Sequence, residues 1–349
     1  MAQVILLSTT PAEDQTDYNL SPVRDLRQSA QADRFKIHSV TGDPYTADLI
    51  LFAEFYGAGW YFERIRRHAF VRQWREKCFL FCSNAFVIPF LPGVYASVEK
   101  RWASARTRPG FYVGLPKDEF ATFTAPTHDL PYLFSFMGST RNAGVRRNLA
   151  TLSHARVFFQ NTADDYDRAR HGKMDPDEKR AYHRRYAELT KATKFVLCPR
   201  GLGASTIRLF ETLRMGRVPV ILSDEWVEPV GPCWQKCAIR IRERDFAQIP
   251  RILEERESEA VEMGQLARRE WEEWFSEEVV FHRAVELCIE IAKERRIPES
   301  LARWPVYLQY LRPFHLRHAL GEKFRALRQA PAGAAGQHSA ATEQPSPRR

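Results

Sequence analysis

The stretch KFVLCPRGLGASTIRLFETLRMGRVPVILSDEW, Lys194 to Trp226, decides the reading of this chain. It predicts a strand, a glycine turn, a helix, a second strand and an acidic turn. Four apolar residues follow Lys194, and Pro199, with no N–H to give, stops the ladder. Gly201 and Gly203 let the backbone take a positive φ or approach a ligand closely. Ser205 or Thr206 can cap the helix that follows. That helix runs to about Met215 and ends at Gly216. VPVIL is the next buried strand, with Ser223 and Asp224 at its end.

A helix N-terminus behind a glycine turn offers free N–H groups and partial positive charge, which suits phosphate or diphosphate. Arg200 lies in the turn and Arg208 about one turn into the helix, so both can reach one anion, and a guanidinium fork matches phosphate geometry. Glu211, three residues beyond Arg208, shares its helix face and can accept from ribose hydroxyls. The same spacing also describes a surface Arg208–Glu211 ion pair and glycines that only turn the chain. Ile207, Phe210 and Leu213 form a core stripe. A third reading is a dinucleotide fold, since Gly201-x-Gly203-x-x-Thr206 approaches G-x-G-x-x-G and Asp224 lies where a ribose-binding acid would sit. Thr206 in place of the third glycine, and an arginine in the turn, speak against it.

Outward from this stretch, strand and helix signals alternate. QVILLS, ADLILFAEF (47–55) and KCFLFCSN (77–84) are continuous apolar runs, as in parallel strands covered on both faces. WYFERIRRHAFVRQW (60–74) has helical spacing. VIPFLPGVYASV holds two prolines and predicts an edge strand or an irregular connection. After a loop-rich region, YLFSFMGS (132–139) restarts a strand, RNAGVRRNLATL predicts a helix, and ARVFFQN a further strand. DPDEKRAYHRRYAELTKAT (175–193) predicts a helix, and a charged helical zone runs to about Arg296. The expected organisation is a first strand–helix half at 1–130, a second at 131–296, a helical extension at 297–328 and a disordered tail at 329–349; a single large sheet is the alternative.

The chain has 349 residues, 44% of them hydrophobic, enough for two cores. No run of about 18 apolar residues predicts a membrane span, and the N-terminus reads as a first strand and not as a signal peptide. Six cysteines lack zinc-ligand spacing and fit a reducing, cytoplasmic setting. The net charge of +9 is spread among acids, and no nucleic-acid motif accompanies it.

The residues FVLCPRG and STIRLFETLRMGRVPVILSDEW resemble the exostosin-like glycosyltransferase family. LFSFMGSTRNAGVRRNL and FLPGVYASV add to the resemblance, which covers about residues 45–295. Thr212 stands where that family usually has alanine. The resemblance implies an α/β GT-B fold, two Rossmann-like domains facing a cleft, with the nucleotide sugar, usually a UDP-sugar, in the second. It implies an inverting enzyme without a bound metal. Arg200 and Arg208 would bind the diphosphate and Glu211 the ribose. The Gly138-Ser139 turn, with Arg141, would face the diphosphate from the neighbouring strand, and Ser223-Asp224 would face the donor. Gly201, Gly203 and Ser205 complete the expected pocket.

The mechanism expected from charge is that the arginines and the helix N-terminus absorb the negative charge shed on the leaving phosphate. The Asp-x-Asp of DPD (175–177) reads as helix N-terminal acids, so no metal is expected. Glu54, ending its strand on the acceptor side, is the candidate base, with His128 and Asp129 behind it; His38 reads as structural. Trp60, Tyr61 and Phe62 can stack on sugars or fill the core. Residues 304–328 mix aromatic, aliphatic and basic side chains, fitting either an anionic membrane surface or a helix packed on the domains. The expected partners are a nucleotide-sugar donor and a glycan or lipid-linked acceptor in polysaccharide synthesis, in the cytoplasm or at the inner membrane face, with no nucleic acid. An NAD-dependent oxidoreductase and a non-catalytic nucleotide-sugar-binding module are the alternatives.

Overall fold

Two parallel sheets divide the chain. The computed structural model describes residues 1–12, 15, 17–55, 62–85, 87–113, 119–170, 173–311, 313, 316 and 320. The first sheet holds β1 (Gln3–Leu7), β2 (Ser39–Val40), β3 (Leu49–Glu54), β4 (Cys78–Cys82), β5 (Gly93–Tyr95) and β6 (Thr107–Pro109), in the order β2-β1-β3-β4-β5-β6. The second holds β7 (Tyr132–Gly138), β8 (Val157–Asn161), β9 (Thr193–Pro199), β10 (Val218–Leu222) and β11 (Ile239–Arg240), in the order β11-β10-β9-β7-β8. Every named pairing is parallel. Counted from its own first strand, each sheet begins 2-1-3-4-5, a doubly wound order.

The apolar runs became strands because helices cover both faces. All residues of β3 and of β4 are buried. Burying one such Leu or Phe side chain contributes about 1.5–3 kcal/mol. Helix α1 (Asp17–Ala32) follows β1 and packs on β3. The helix expected over 60–74 is two short ones, α2 (Glu63–Arg67) and α3 (Ala69–Gln73). His68 is extended between them, and its Nδ1 caps α3 by accepting from the Phe70 N–H. Trp60, Tyr61 and the turn at 56–61 lie outside the described residues, while Phe62 is buried.

The edge position expected for VIPFLPGVYASV needs correcting, because β5 lies inside the sheet between β4 and β6. Its prolines precede the strand, and Pro92 serves the ladder with its carbonyl, which accepts from the Leu80 N–H. The 106–133 region, read as loop, supplies the edge strand β6.

In the second half, α4 (Gly144–Leu149) follows β7, α5 (Ala163–Arg170) follows β8, α6 (Pro176–Lys191) leads into β9, and α7 (Ile207–Arg214) joins β9 to β10. Gly216 sits at φ 72°, so it ends α7 in the left-handed conformation. Further on come α8 (Trp234–Cys237), α9 (Ile249–Glu255), α10 (Ala260–Trp274) and α11 (Val280–Glu294). Helix α10 packs on α7, whereas α11 returns to α1, β5 and β6 of the first sheet.

The loops at the carboxyl ends of the two sheets touch. The Lys100 N–H donates to the Glu225 carbonyl at 2.9 Å, and the Val227 N–H donates to the Val98 carbonyl at 3.2 Å. The Ser205 N–H donates to Ser97 Oγ at 3.0 Å. The carboxyl edges of two Rossmann-like sheets therefore face one another, the GT-B arrangement.

Residues 1–302 form one compact unit, and the segment from Arg303 forms another. In the latter, Trp304–Tyr307 and Leu308–Leu311 make short helical turns. Most of the 312–328 segment and all of the 329–349 tail lie outside the described residues. Among the described residues no helix is long and apolar enough to cross a membrane.

Candidate functional site

In a doubly wound sheet the crevice opens where the strand order reverses, beyond the carboxyl ends of the strands. In the second sheet that point lies between β7 and β9. The loop after β7 begins at Ser139 and the loop after β9 at Arg200, so Gly138, Ser139, Arg200, Gly201, Gly203, Ser205 and Arg208 come together there.

Arg208 projects from the first turn of α7 into this crevice and is only 9% exposed. Its guanidinium lies 4.6 Å from the Phe136 ring centroid, and Nη2 donates to the Met137 carbonyl at 2.6 Å. Nε and Nη1 are buried with no hydrogen-bond partner among the described residues. A buried guanidinium left with idle donors is costly, and an anion would satisfy it. Gly138 makes room for it, since a Cβ at that position would collide with Arg208 Nη2.

The helix end beside it is also open. Thr206 is the N-cap residue of α7, but its side chain makes no cap bond. Ser205 Oγ and Ser223 Oγ are buried and likewise without partners among the described residues. Gly203 seats the turn against the first half, where a Cβ would strike the Ala85 carbonyl and Ser97 Oγ.

Arg200, by contrast, is engaged. Its Nε donates to Glu243 Oε1 at 2.7 Å, with the Arg200 side chain 34% exposed. Asp224 joins the same group, its Oδ1 accepting from the Glu243 N–H at 3.1 Å. Glu211 accepts from the Tyr186 hydroxyl at 2.9 Å. Burial first, then Glu211, pushes the Tyr186 pKa well above its ordinary value, so that hydroxyl stays a donor. Arg141 points to α5, where it pairs with Asp164 and Asp167 on the surface. Its backbone N–H donates to Ser139 Oγ at 3.3 Å.

Two site residues escaped the sequence reading. Arg146 of α4 is 7% exposed and donates to the carbonyls of Arg200 (2.8 Å), Ser139 (3.2 Å) and Pro199 (3.3 Å). It ties the ends of β7 and β9 together from the helix between them, and a Cβ on Gly201 would press on it. Glu243 is the other. An arginine in a helix just after a glycine-serine strand end was the available signal for Arg146; Glu243 offered none.

Across the seam, the equivalent crevice of the first sheet lies between β1 and β3. Glu54 ends β3 there with 0% exposure. Its carboxylate accepts from the Ser8 and Thr9 hydroxyls at 2.9 Å each, from the Thr10 hydroxyl at 3.3 Å, and from the Thr9 N–H. Burial raises its pKa despite these donors. The expected base is thus enclosed by the loop after β1. His128 and Asp129 are exposed on the loop before β7.

DPD is a helix start, as its composition implied. Asp175 caps α6 by accepting from the Glu178 N–H at 2.8 Å, and Glu178 reaches back to complete a capping box. Among the described residues the one group of metal-type ligands is His38, His282 and Glu286, which belongs to the β2 edge and α11 and not to this crevice.

The Exostosin GT47 domain model matches residues 85–256, from the loop after β4 through α9. The chain is 43% identical over 70 residues to an Exostosin-1 homolog of Caenorhabditis elegans, covering 20% of this chain and 18% of that protein. It is 29% identical over 209 residues to Exostosin-1 of Drosophila melanogaster, covering 54% of this chain and 26% of that protein. The chain thus spans about a quarter or less of these relatives' length. Among solved structures, WaaG, a glycosyltransferase involved in lipopolysaccharide biosynthesis, aligns at 12% identity and a TM-score of 0.36, covering 82% of this chain and 99% of that one. Anabaena HepE in complex with UDP aligns at 10% identity and a TM-score of 0.36, covering 84% of this chain and 99% of that one. Over residues 85–256 the chain is similar to the Exostosin GT47 domain, and this stretch contains the crevice built around Arg200 and Arg208.

Proposed function

We propose that this chain transfers a sugar from a nucleoside diphosphate sugar, with UDP as the nucleotide, to a glycan or lipid-linked acceptor. The observation that carries this reading is the buried Arg208 guanidinium with idle Nε and Nη1 beside an open helix start. A diphosphate seated there receives two donors from Arg208, N–H groups from α7, and the hydroxyls of Ser205 and Ser223. Arg200 joins by exchanging Glu243 for phosphate oxygen. Glu211, one turn along α7, and Tyr186, which reaches it from α6, receive the ribose hydroxyls.

As the bond between sugar and diphosphate breaks, negative charge grows on the leaving oxygen. Donors already fixed toward that point stabilise the charge without reorganising. Two arginines and a helix dipole can do so without a metal in the donor crevice, and the acceptor attacks from the first half with inversion. Glu54 holds the 8–10 loop on that side. Direct proton abstraction by Glu54 requires the loop to release it. The setting proposed is polysaccharide synthesis at the cytoplasmic face of a membrane.

Calorimetric titration of the full chain with UDP, UDP-sugars and NADH tests this reading, repeated with Arg208→Ala. UDP binding that the substitution abolishes supports the assignment. NADH binding without UDP binding overturns it. Binding of UDP-sugar with neither transfer nor hydrolysis identifies a non-catalytic module.

A further inference from the structure

We propose that His38, His282 and Glu286 bind one divalent transition-metal ion, zinc by ligand type, which fastens α11 to the edge of the first sheet. The site is separate from the donor crevice and does not rest on the glycosyltransferase reading. His38 stands immediately before the edge strand β2, while His282 and Glu286 lie four residues apart on α11, on one helix face. The fold brings His38 to Glu286 across a separation of 248 residues.

One potential ligand atom from each of the three lies within 4.8 Å of the others. His38 Nε2 already meets Glu286 Oε1 at 2.8 Å. Both histidines are 7% exposed, and each has an Nδ1 that is buried with no partner among the described residues. Buried polar nitrogens usually find partners, so the idle Nδ1 of His282 can take a ligand, while His38 offers Nε2, the nitrogen that now meets Glu286. The ring centroids lie 5.0 Å apart, and Phe35 stacks on His282 at 4.1 Å, fixing its orientation.

Two imidazoles and one carboxylate are the donor types that zinc takes, at about 2.0–2.2 Å each. Tetrahedral zinc sets such ligands about 3.3 Å apart, so the group contracts on loading. The Glu286 side chain is 43% exposed, leaving a fourth position for water. The field is mixed. Asp33, 2% exposed and facing His282, favours a cation, and it accepts from the N–H groups of Phe35 and Lys36. Arg283 opposes one, but it pairs with Glu273, as does Arg34. Loading replaces the His38–Glu286 hydrogen bond with two metal bonds. It would pin the last long helix of the compact unit to a two-residue edge strand.

The test uses the full chain, stripped with a chelator and titrated with zinc against a chromophoric competitor, then with cobalt(II). The expected result is one ion per chain, a visible cobalt d–d band, and a rise in melting temperature on adding zinc. Glu286→Gln keeps a hydrogen-bond acceptor for His38 at a partly exposed position, so it should fold as wild type. It should weaken zinc at least about 100-fold and lose the cobalt band. His282→Ala should do the same, and UDP affinity should be unchanged by stripping. No ion bound, or an ion bound equally well by Glu286→Gln and His282→Ala, overturns the proposal.

Discussion

The two crevices at the switch points of the two sheets share a strand order and differ in everything placed inside. Between β1 and β3 sits a carboxylate, fully enclosed, with four donors from the 8–10 loop turned onto it. Between β7 and β9 sits a guanidinium, almost as deeply buried, whose Nε and Nη1 meet no partner among the described residues. The first crevice has closed on its own charge and is complete. The second keeps its charge unanswered. Topology supplies the same opening twice, and the state of hydrogen bonding inside tells a finished structural site from one awaiting an anion.

The sharpest way to break that contrast is at Arg208. Arg208→Met should lower kcat/KM by about 100- to 1000-fold, because a preset donor to the leaving phosphate is gone. Its melting temperature should hold or rise, since an unpaired buried charge has been removed. A melting temperature that falls steeply, with activity kept, would turn the second crevice into a structural site like the first. Glu54→Ala should do the reverse. Leaving the Ser8, Thr9 and Thr10 donors unmet should cost about 3 kcal/mol in denaturant unfolding, with UDP affinity kept.

Glu54 also sharpens the contrast through pH. Burial lifts its pKa above the ordinary 4.5. Between those two values the folded chain holds a proton that the unfolded chain has lost, so stability falls as pH rises through the raised pKa. Glu54→Gln should lack that slope, and unfolding series from acid to neutral pH would reveal it.

Gly138→Ala should have a smaller effect. The new methyl displaces the flexible end of Arg208, weakening UDP about tenfold with the fold kept, readable by calorimetry. Glu243→Gln should be smallest. The Arg200 pair is a third exposed, and loosening it should change UDP affinity only about two- to fivefold.

Strand positions were legible because doubly covered parallel strands must be apolar throughout, as in LILFAE and CFLFC. The turn around Arg200 and Arg208 was legible because its glycines, its helix start and its second strand are contiguous. Arg146 was not, because its role is to reach carbonyls more than fifty residues away along the chain. The enclosure of Glu54 was hidden for the same reason: it depends on a loop that follows a different strand. Proline misled at β5, where the carbonyl of Pro92 mattered more than its missing N–H. His38 read as structural from the strand pattern around it, while its contact with Glu286 of α11 lies 248 residues away and was not legible.

The stitches at 97–100 against 205 and 225–227 set a mechanical rule for any motion between the two sheets. Backbone bonds from both members hold that line, and Gly203 leaves no slack beneath it. Beside that line Phe111 and Tyr112 of the first half pack on Phe275 and Phe210 of the second, so a nucleotide entering next to Arg208 lies against a seam that is both bonded and packed.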